Sequence, residues 1–202
     1  MLDELFERVF FSKESKKLYT KFVSKSGEEL REWDPYRSKL AAAILKGLKT
    51  MPIKNGSKIL YLGTSTGTTC SHMSDIIGEK GIIYGVEFAE RVFYSFLDFA
   101  NTRKNIAPIY ADARKPEEYY WVEEVDVVYC DIAQPDEVEI AIRNANLFLK
   151  KEGYLLIAIK SRSIDVTKDP NIIYKEESKK LEENGYEVLE LINLEPYEDA
   201  HA

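Results

Sequence analysis

The stretch Lys58-Ile-Leu-Tyr-Leu-Gly63-Thr-Ser-Thr-Gly67-Thr-Thr69 predicts a buried strand, then a glycine-marked turn, then the start of a helix. Its first half is a short apolar run, typical of a parallel strand that is covered on both faces. Gly63 and Gly67 allow the backbone to turn sharply and to lie close to a ligand. A strand, tight turn and helix in this order indicate an α/β sheet.

The helix after the turn begins with Thr68 and Thr69, where free backbone N–H groups and the helix dipole favour an anion or a carboxylate. The spacing lacks the G-x-G-x-x-G of dinucleotide folds and the Gly-Lys-Ser/Thr of a phosphate-binding P-loop. Gly-x-x-x-Gly after a first strand instead suits a site for S-adenosylmethionine. The alternative is that the turn serves the α/β fold alone and binds nothing.

Length and composition indicate one well-buried globular domain, because the 202 residues are 45% hydrophobic and 31% charged. No apolar run approaches the length of a membrane span and no signal-peptide pattern opens the chain, so we expect no membrane partner. Cys70 and Cys130 have neither metal nor redox spacing. The sequence therefore predicts no metal site and a reducing, cytoplasmic setting.

The charge is unevenly distributed along the chain, although the net charge is −7. Residues 1–60 hold 13 Lys and Arg against 8 Asp and Glu, whereas residues 61–202 hold 15 against 27. A basic N-terminal segment beside an acidic body can touch RNA locally but cannot supply strong non-specific affinity. If RNA is the substrate, we expect a partner to deliver it.

The remaining pattern alternates strands and helices, which predicts a mostly parallel, doubly wound sheet with helices on both faces. Residues 1–33 indicate a small β-ribbon, and Asp34-Pro35 is typical of the cap and first turn of a helix. Further helices are predicted over 67–78, 91–103, 136–150 and 170–184. Further strands are predicted over 82–87, 106–110, 125–131, 154–160 and 186–194.

Polar residues terminate almost every predicted strand, where open α/β sheets bind their ligands. Glu87 lies 20 positions after Gly67, a spacing at which an acidic side chain can accept both ribose hydroxyls. Asp112 could accept from an adenine amino group, and Asp131 and Lys160 end the next two strands. Any one of them could be a helix cap or a solvated charge. Four on one rim, with His201 beyond them, make a site the better interpretation.

The chain resembles the archaeal fibrillarins, RNA 2′-O-methyltransferases of box C/D guide-RNA particles. The matching stretches lie in order over residues 31–202. They are 31–44 (Arg-Glu-Trp-Asp-Pro-Tyr-Arg-Ser-Lys-Leu and onward), 61–63 with 67–69, 71–78, 85–88, 112–114, Asp131-Ile-Ala-Gln-Pro-Asp136, 159–160 with 163–165, and 195–197 with 201–202. The resemblance implies a Rossmann-like class I S-adenosylmethionine-dependent methyltransferase domain over 34–202, after an N-terminal ribbon over 1–33.

The resemblance also implies roles for individual residues. The implied catalytic group is Lys39, Asp131, Lys160 and His201. The implied cofactor-binding residues are Gly63, Gly67, Thr68 and Thr69 around the methionine end, Glu87 and Phe88 at the ribose, Asp112 and Ala113 at the adenine, and Asp131, Ile132, Ala133 and Gln134 closing over the cofactor.

By the same resemblance, a methyl group passes from S-adenosylmethionine to a ribose 2′-OH of rRNA or tRNA. A box C/D guide RNA chooses the nucleotide, a Nop-domain scaffold protein docks the enzyme, and a kink-turn-binding ribosomal-type protein nucleates assembly. One alternative is a catalytically weakened paralogue that acts as a binding or assembly subunit. A second alternative, a nicotinamide-dependent oxidoreductase, is opposed by the lack of G-x-G-x-x-G.

The residue types agree with methyl transfer to a hydroxyl, which needs alignment and removal of a weakly acidic proton. Lys160 can act as the base only if a neighbouring cation such as Lys39 or burial favours its neutral form. Asp131 would orient both lysines. The alternative is that the lysines bind phosphate and hold the ribose in place.

The chain departs from the family pattern in two regions. Thr64 and Thr66 replace smaller residues of the glycine turn, and we expect these β-branched side chains to crowd the cofactor. Ala200 stands where the family usually has an aspartate. A final strand that usually follows the His-Ala pair is not seen after Ala202, so we expect His201 to be loosely held.

Overall fold

The computed structural model describes residues 2–24 and 26–202. The N-terminal part is an antiparallel sheet of four strands in the order β1-β2-β3-β4. These strands are β1 (Leu2–Phe6), β2 (Val9–Ser12), β3 (Lys17–Ser24) and β4 (Gly27–Trp33). The predicted ribbon is therefore a small four-stranded sheet, and Met1 and Lys25 lie outside the described residues.

The predicted helix start at Asp34-Pro35 is wrong. The Asp34 carboxylate accepts the N–H of Tyr36 at 2.9 Å and the Asp34 carbonyl accepts the N–H of Arg37 at 3.2 Å, so this segment is a turn. Helix α1 (Lys39–Leu45) begins later, where the Ser38 hydroxyl caps the N–H of Ala41. Asp34 thus caps a β-turn rather than a helix, and the helix begins about one helical turn later in the chain.

Five parallel strands form the main sheet in the order β7-β6-β5-β8-β9. They are β5 (Lys58–Leu62), β6 (Ile82–Glu87), β7 (Ile106–Tyr110), β8 (Val125–Cys130) and β9 (Leu149–Ile157). This order confirms the doubly wound parallel sheet. β9 begins five residues before its predicted start, directly after a helix, and its pairing with β8 shifts register near Val125.

Helices cover both faces of this sheet, as predicted. They are α1, α2 (Thr68–Ile77), α3 (Glu90–Ala100), α4 (Glu137–Phe148), the short α5 (Ser161–Ile164) and α6 (Pro170–Glu183). Ile59 and Tyr61 of β5 pack in one core with α1, α2, α3 and the N-terminal sheet. Leu60 and Leu62 pack in a second core with α4, because successive side chains of a strand point to opposite faces.

The predicted strand over 186–194 is wrong, since these described residues form no backbone ladder with β9. A groove of about 730 Å³, lined by apolar side chains of both segments, separates them. The segment is held instead by the Glu190 carboxylate, which accepts the N–H groups of Lys49 and Thr50 at 3.0 and 2.7 Å. The alternation of apolar residues that predicted a strand is present, but no neighbouring strand within the described structure pairs with this segment.

A buried polar network joins the N-terminal sheet to α2. The Asp75 side chain, which is fully buried, accepts hydrogen bonds from Arg31 at 2.6 Å, Arg103 at 2.5 Å and Thr20 at 3.0 Å. Thr20 also contacts the ring of His72 at 2.8 Å, and burial together with the two arginines lowers the pKa of His72 to about 2. His72 is therefore a neutral structural residue.

No helix of the described residues is long and apolar enough to cross a membrane. The carboxyl ends of β5, β6 and β8 meet at one edge of the sheet, where the loops after them carry most of the predicted site residues.

Candidate functional site

The turn after β5 requires glycine at both predicted positions. Gly63 has a φ of 79°, and a Cβ there would lie 2.5 Å from the carbonyl oxygen of Asp131. Gly67 is the N-cap of α2 with a φ of 91°, and a Cβ there would lie 2.8 Å from the Phe99 ring. Both φ values are ones that other residues rarely adopt. The turn thus brings the strand end, α2 and the loop after β8 into contact.

Two cavities open at this edge of the sheet. The larger, about 340 Å³, is lined by six charged or histidine side chains among others: Arg37, Lys39, Asp131, Lys160, Glu198 and His201. The smaller, about 140 Å³, is lined by Glu87, Phe88, Asp112, Ala113 and Gln134 among others. Gly63, Ser65, Asp131, Ile132 and Ala133 line both, so the two cavities are adjacent parts of one site.

An ion pair stands in the larger cavity. The Lys39 ammonium donates to the Asp131 carboxylate at 2.7 Å, with side chains 21% and 17% exposed. Lys39 is the first residue of α1, and Asp131 follows β8 directly. The N–H of Asp131 donates to the carbonyl of Leu62 at 3.0 Å, which fixes the loop to the end of β5.

Lys160 and His201 are paired residues in an antiparallel bridge. The flanking residues Ile159 and Ala202 exchange both backbone hydrogen bonds, at 2.7 and 3.1 Å. On its other side, the carbonyl of His201 accepts the N–H of Leu194 at 3.0 Å. The expectation that His201 is loosely held is therefore wrong, because three backbone contacts hold its immediate surroundings and its side chain is nearly buried.

The tautomer of His201 follows from its hydrogen bond. Its Nδ1 lies 2.7 Å from the carbonyl oxygen of Asp199, which can only accept, so Nδ1 carries the proton and Nε2 has the free lone pair. Burial lowers the pKa of His201, with Lys39 adding to that direction and the Asp199 carbonyl and Glu198 opposing it. The imidazole is thus neutral near pH 7 and can accept a proton at Nε2.

Glu87 is a nearly buried carboxylate at the end of β6, and two backbone N–H groups orient it. Ser65 donates to one oxygen at 3.0 Å and Ala89 to the other at 2.9 Å. Each oxygen keeps a further lone pair, so the carboxylate can still accept two hydroxyls from a ligand in the cavity. This pair of acceptors matches the two O–H donors of a ribose 2′,3′-diol.

The adenine end of the predicted site is held together by Arg114. Its guanidinium donates to Gln134 at 2.7 Å and to Asp136 at 3.0 Å, and its N–H donates to Asp112 at 2.9 Å. Phe88 lies beside these residues with 57% of its surface exposed, so an apolar ring is free to cover a flat ligand.

The structure brings all of the predicted site residues except Gly67 to the walls of the two cavities. Gly67 lies behind them and acts through the shape of the turn. The sequence prediction missed Arg37, Ser65 and Glu198. Ser65 contributes its backbone to Glu87, which no side-chain pattern can reveal, whereas Arg37 lies two positions before Lys39 and could have been found.

The two unusual threonines of the turn differ in position. Thr66 is exposed, and Thr64 is buried with its methyl group over Gly85, where a Cβ would lie 2.9 Å from it. Thr64 and Thr66 both border the larger cavity, yet about 340 Å³ remains between its walls. The bulk of Thr64 is accommodated largely by the glycine on β6.

Comparison with known proteins agrees with this arrangement. The sequence model described as Fibrillarin matches residues 10–202. The chain belongs to the fibrillarin family. A relative from Saccharolobus islandicus, named fibrillarin-like rRNA/tRNA 2′-O-methyltransferase, is 57% identical over 183 residues, which are 90% of this chain and 79% of the relative.

Solved structures of fibrillarins superpose over nearly the whole chain. A crystal structure of Aeropyrum pernix fibrillarin with natively bound S-adenosyl-L-methionine is 48% identical, with a TM-score of 0.85, and the match covers 96% of this chain and 90% of that one. Fibrillarin in a complex with Nop5p is 39% identical, with a TM-score of 0.90, and the match covers 98% and 96%.

Proposed function

We propose that this fibrillarin-family chain transfers a methyl group from S-adenosylmethionine to a ribose 2′-OH of rRNA or tRNA. The observation that carries the proposal is the junction of the two cavities. The oriented Glu87 carboxylate lies on one side, and the Lys39–Asp131 ion pair, Lys160 and His201 lie on the other. A ribose-binding acid next to a cluster of proton-transfer groups suits methylation of a hydroxyl.

The residues present fit the cofactor. Glu87 offers acceptors for the ribose, Asp112 offers an acceptor for the adenine amino group, and the free N–H groups at the start of α2 face the larger cavity near Thr68 and Thr69. When bound, S-adenosylmethionine would supply an electrophilic sulfonium methyl group.

The residues of the larger cavity would align and activate the RNA hydroxyl. As the 2′-oxygen bonds to the methyl carbon, the carbon–sulfur bond breaks and its electron pair stays on sulfur. Nε2 of His201, or Nζ of Lys160 as a neutral amine, takes the hydroxyl proton, while the cationic Lys39 stabilises negative charge developing on the oxygen. Asp131 keeps Lys39 in place through their 2.7 Å contact.

Delivery of the RNA is proposed to depend on partners. A box C/D guide RNA selects the nucleotide, a Nop-domain scaffold protein docks the enzyme, and a kink-turn-binding ribosomal-type protein nucleates the particle. The net charge of −7 supports this part of the proposal, because an acidic protein binds free RNA weakly. The solved complex of a related fibrillarin with Nop5p supports the proposed scaffold partner.

The proposal is tested by methylation in a reconstituted particle with a defined guide RNA. We expect methyl transfer to the one guide-selected 2′-OH and none to a 2′-deoxy target at that position. A matched particle with Asp131→Asn controls for contaminating activity, because the Lys39 contact would lose its charged acceptor. Assembly without any methyl transfer would favour the alternative role as a binding subunit.

A further inference from the structure

A fully buried carboxyl group lies directly behind the proposed catalytic residues. Glu137 is the first residue of α4 and has no exposed surface. Its Oε1 accepts the backbone N–H of Lys160 at 3.0 Å. Its main-chain carbonyl accepts from the Cys130 thiol at 3.9 Å. Glu137 therefore joins the end of β8, the start of α4 and the residue that carries the Lys160 ammonium.

The second oxygen of Glu137 is unsatisfied. Oε2 is buried and contacts no hydrogen-bond donor among the described residues. The charged groups around it are Asp131 after β8, Glu177 of α6 and Lys39 of α1, and Glu177 is itself buried and pairs with Lys180 at 2.8 Å. Asp131 and Glu177 are acids, and the one nearby cation of the described residues, Lys39, already pairs with Asp131. A negative charge on Glu137 would therefore have no compensating positive charge among these groups.

A buried carboxylate with an unpartnered oxygen is strongly unfavourable, and the group commonly takes up a proton instead. Burial raises the pKa of Glu137 to about 8, with the Lys160 N–H opposing the shift and Asp131 and Glu177 adding to it. The start of α4 favours the ionised form through its dipole, but this effect is small beside full desolvation.

We propose that Glu137 is a positioning residue that works as a neutral carboxylic acid, with Oε1 holding the backbone of Lys160 and the proton on Oε2. The proposal rests on the proposed methyl transfer, because it concerns the placement of Lys160 in that site. Loss of the Oε1 contact frees the backbone where β9 leaves the sheet, and the Lys160 side chain moves with it. Ionisation of Glu137 strengthens the Oε1 contact but places a second acid charge behind Asp131, where it repels Asp131 and draws Lys39 away from its pairing with that residue.

Three variants separate a neutral acid from a carboxylate and from simple packing. Glu137→Gln keeps the Oε1 acceptor and remains neutral, whereas Glu137→Leu fills the space without an acceptor. Glu139→Gln is the matched control, because Glu139 is exposed two residues later on the same helix. Single-turnover methylation is measured in the reconstituted particle at saturating S-adenosylmethionine, and cofactor affinity is measured by calorimetry.

We expect Glu137→Gln and Glu139→Gln to keep the rate within about twofold at pH 7. Glu137→Leu should lower it about tenfold or more with unchanged cofactor affinity, since the partly buried N–H of Lys160 loses its acceptor. The unmutated rate should fall as the pH rises through about 8, and Glu137→Gln should remove that fall. A Gln variant as slow as the Leu variant would show that the carboxylate is needed, and a fully active Leu variant would leave Glu137 no positioning role.

Thermal unfolding tests the protonation state even in the absence of turnover. A folded-state pKa raised from 4.5 to about 8 means that the folded chain holds a proton that the unfolded chain has released. The stability of the unmutated chain relative to Glu137→Gln should therefore fall between pH 5 and 8 and then level off. A difference in melting temperature that stays constant across this range would overturn the neutral acid while leaving the methyltransferase proposal intact.

Discussion

Lys160 and His201 face each other across an antiparallel bridge whose flanking residues, Ile159 and Ala202, exchange both backbone hydrogen bonds. In such a ladder the pair next to a hydrogen-bonded pair has its Cα atoms about 4.5 Å apart, with side chains on one face. The side chains of Lys160 and His201 thus border one cavity. In the His201 ring, Nε2 is the nitrogen with a free lone pair. Nε2 can receive the proton of the substrate hydroxyl directly, and Nζ of Lys160 can receive it only as a neutral amine.

Lys160→Arg tests more sharply than Lys160→Ala whether Lys160 or His201 receives the proton. Arginine keeps the positive charge but cannot readily deprotonate, so a base at Lys160 cannot be replaced by it. We expect both Lys160→Arg and Lys160→Ala to lower the single-turnover rate by roughly 10²–10⁴-fold, with cofactor affinity nearly unchanged. An arginine variant that keeps most of its activity would make Lys160 a phosphate or ribose anchor and leave His201 as the proton acceptor.

The pH dependence of the rate tests His201. Burial lowers the pKa of His201 below its usual 6.5, so the ring is neutral and able to accept at Nε2 through neutral pH. In the acid range the rate should therefore fall below pH 6.5, as the ring becomes protonated. His201→Gln should be slow at every pH and should lack this acid limb. An acid limb of the same midpoint in the variant would assign the titration to another group.

Glu87 is expected to carry the ribose. Glu87→Ala removes a charged acceptor from two ribose hydroxyls and should weaken S-adenosylmethionine binding by ~1.5–3 kcal/mol. Glu90→Ala, at an exposed position on the following helix, is the control in the same calorimetric titration. Equal affinities for both variants would remove Glu87 from the cofactor site.

The strands of the main sheet could be predicted from local pattern because they are continuous apolar runs that end in polar residues. β5 and β8 lie at the centre of the sheet, are buried on both faces and keep their predicted starts. Their polar termini converge because parallel strands finish at the same edge. This is why Glu87 and Asp131 could be assigned to one site from the sequence.

The errors arose where local pattern does not decide the structure. Residues 186–194 alternate as a strand does, but a strand also needs a backbone partner, and a groove lies beside β9. Asp34 can cap a turn as well as a helix, and its hydrogen bonds to the N–H groups of Tyr36 and Arg37 show that it caps a turn here. The Ser65 N–H binds Glu87, and Glu137 binds the Lys160 N–H. Both contacts join segments that are far apart in the sequence, so no local pattern reveals them.

The network around Asp75 makes a prediction about stability. Asp75→Ala leaves Arg31 and Arg103 without their carboxylate in a partly buried position, which typically costs ~3–5 kcal/mol. Urea unfolding should show this loss, and Asp98→Ala, an exposed acid on α3, should change stability little. A loss for Asp75→Ala as small as that of the control would mean that the Asp75 carboxylate contributes little to holding the N-terminal sheet to α2.

Arg37 is expected to contact the RNA. It lies at the mouth of the larger cavity, is exposed, and forms no ion pair with any residue of the described chain. A substrate ribose in that cavity carries a phosphate on either side, and a guanidinium at its rim can bind one of them in a bidentate manner. Arg37→Ala should therefore raise the KM for the guide-bound target RNA and leave cofactor affinity unchanged.

The dependence on salt identifies the kind of contact that Arg37 makes. Removing one phosphate contact should reduce the slope of log affinity against log salt by about 1, measured on the assembled particle. Arg91→Ala removes an equal charge from the exposed face of α3 and is the control, because Arg91 lines neither cavity. If both variants lower the slope equally, Arg37 contributes only to the general field of the protein. If Arg37→Ala alone lowers it, the residue holds a phosphate beside the reacting ribose.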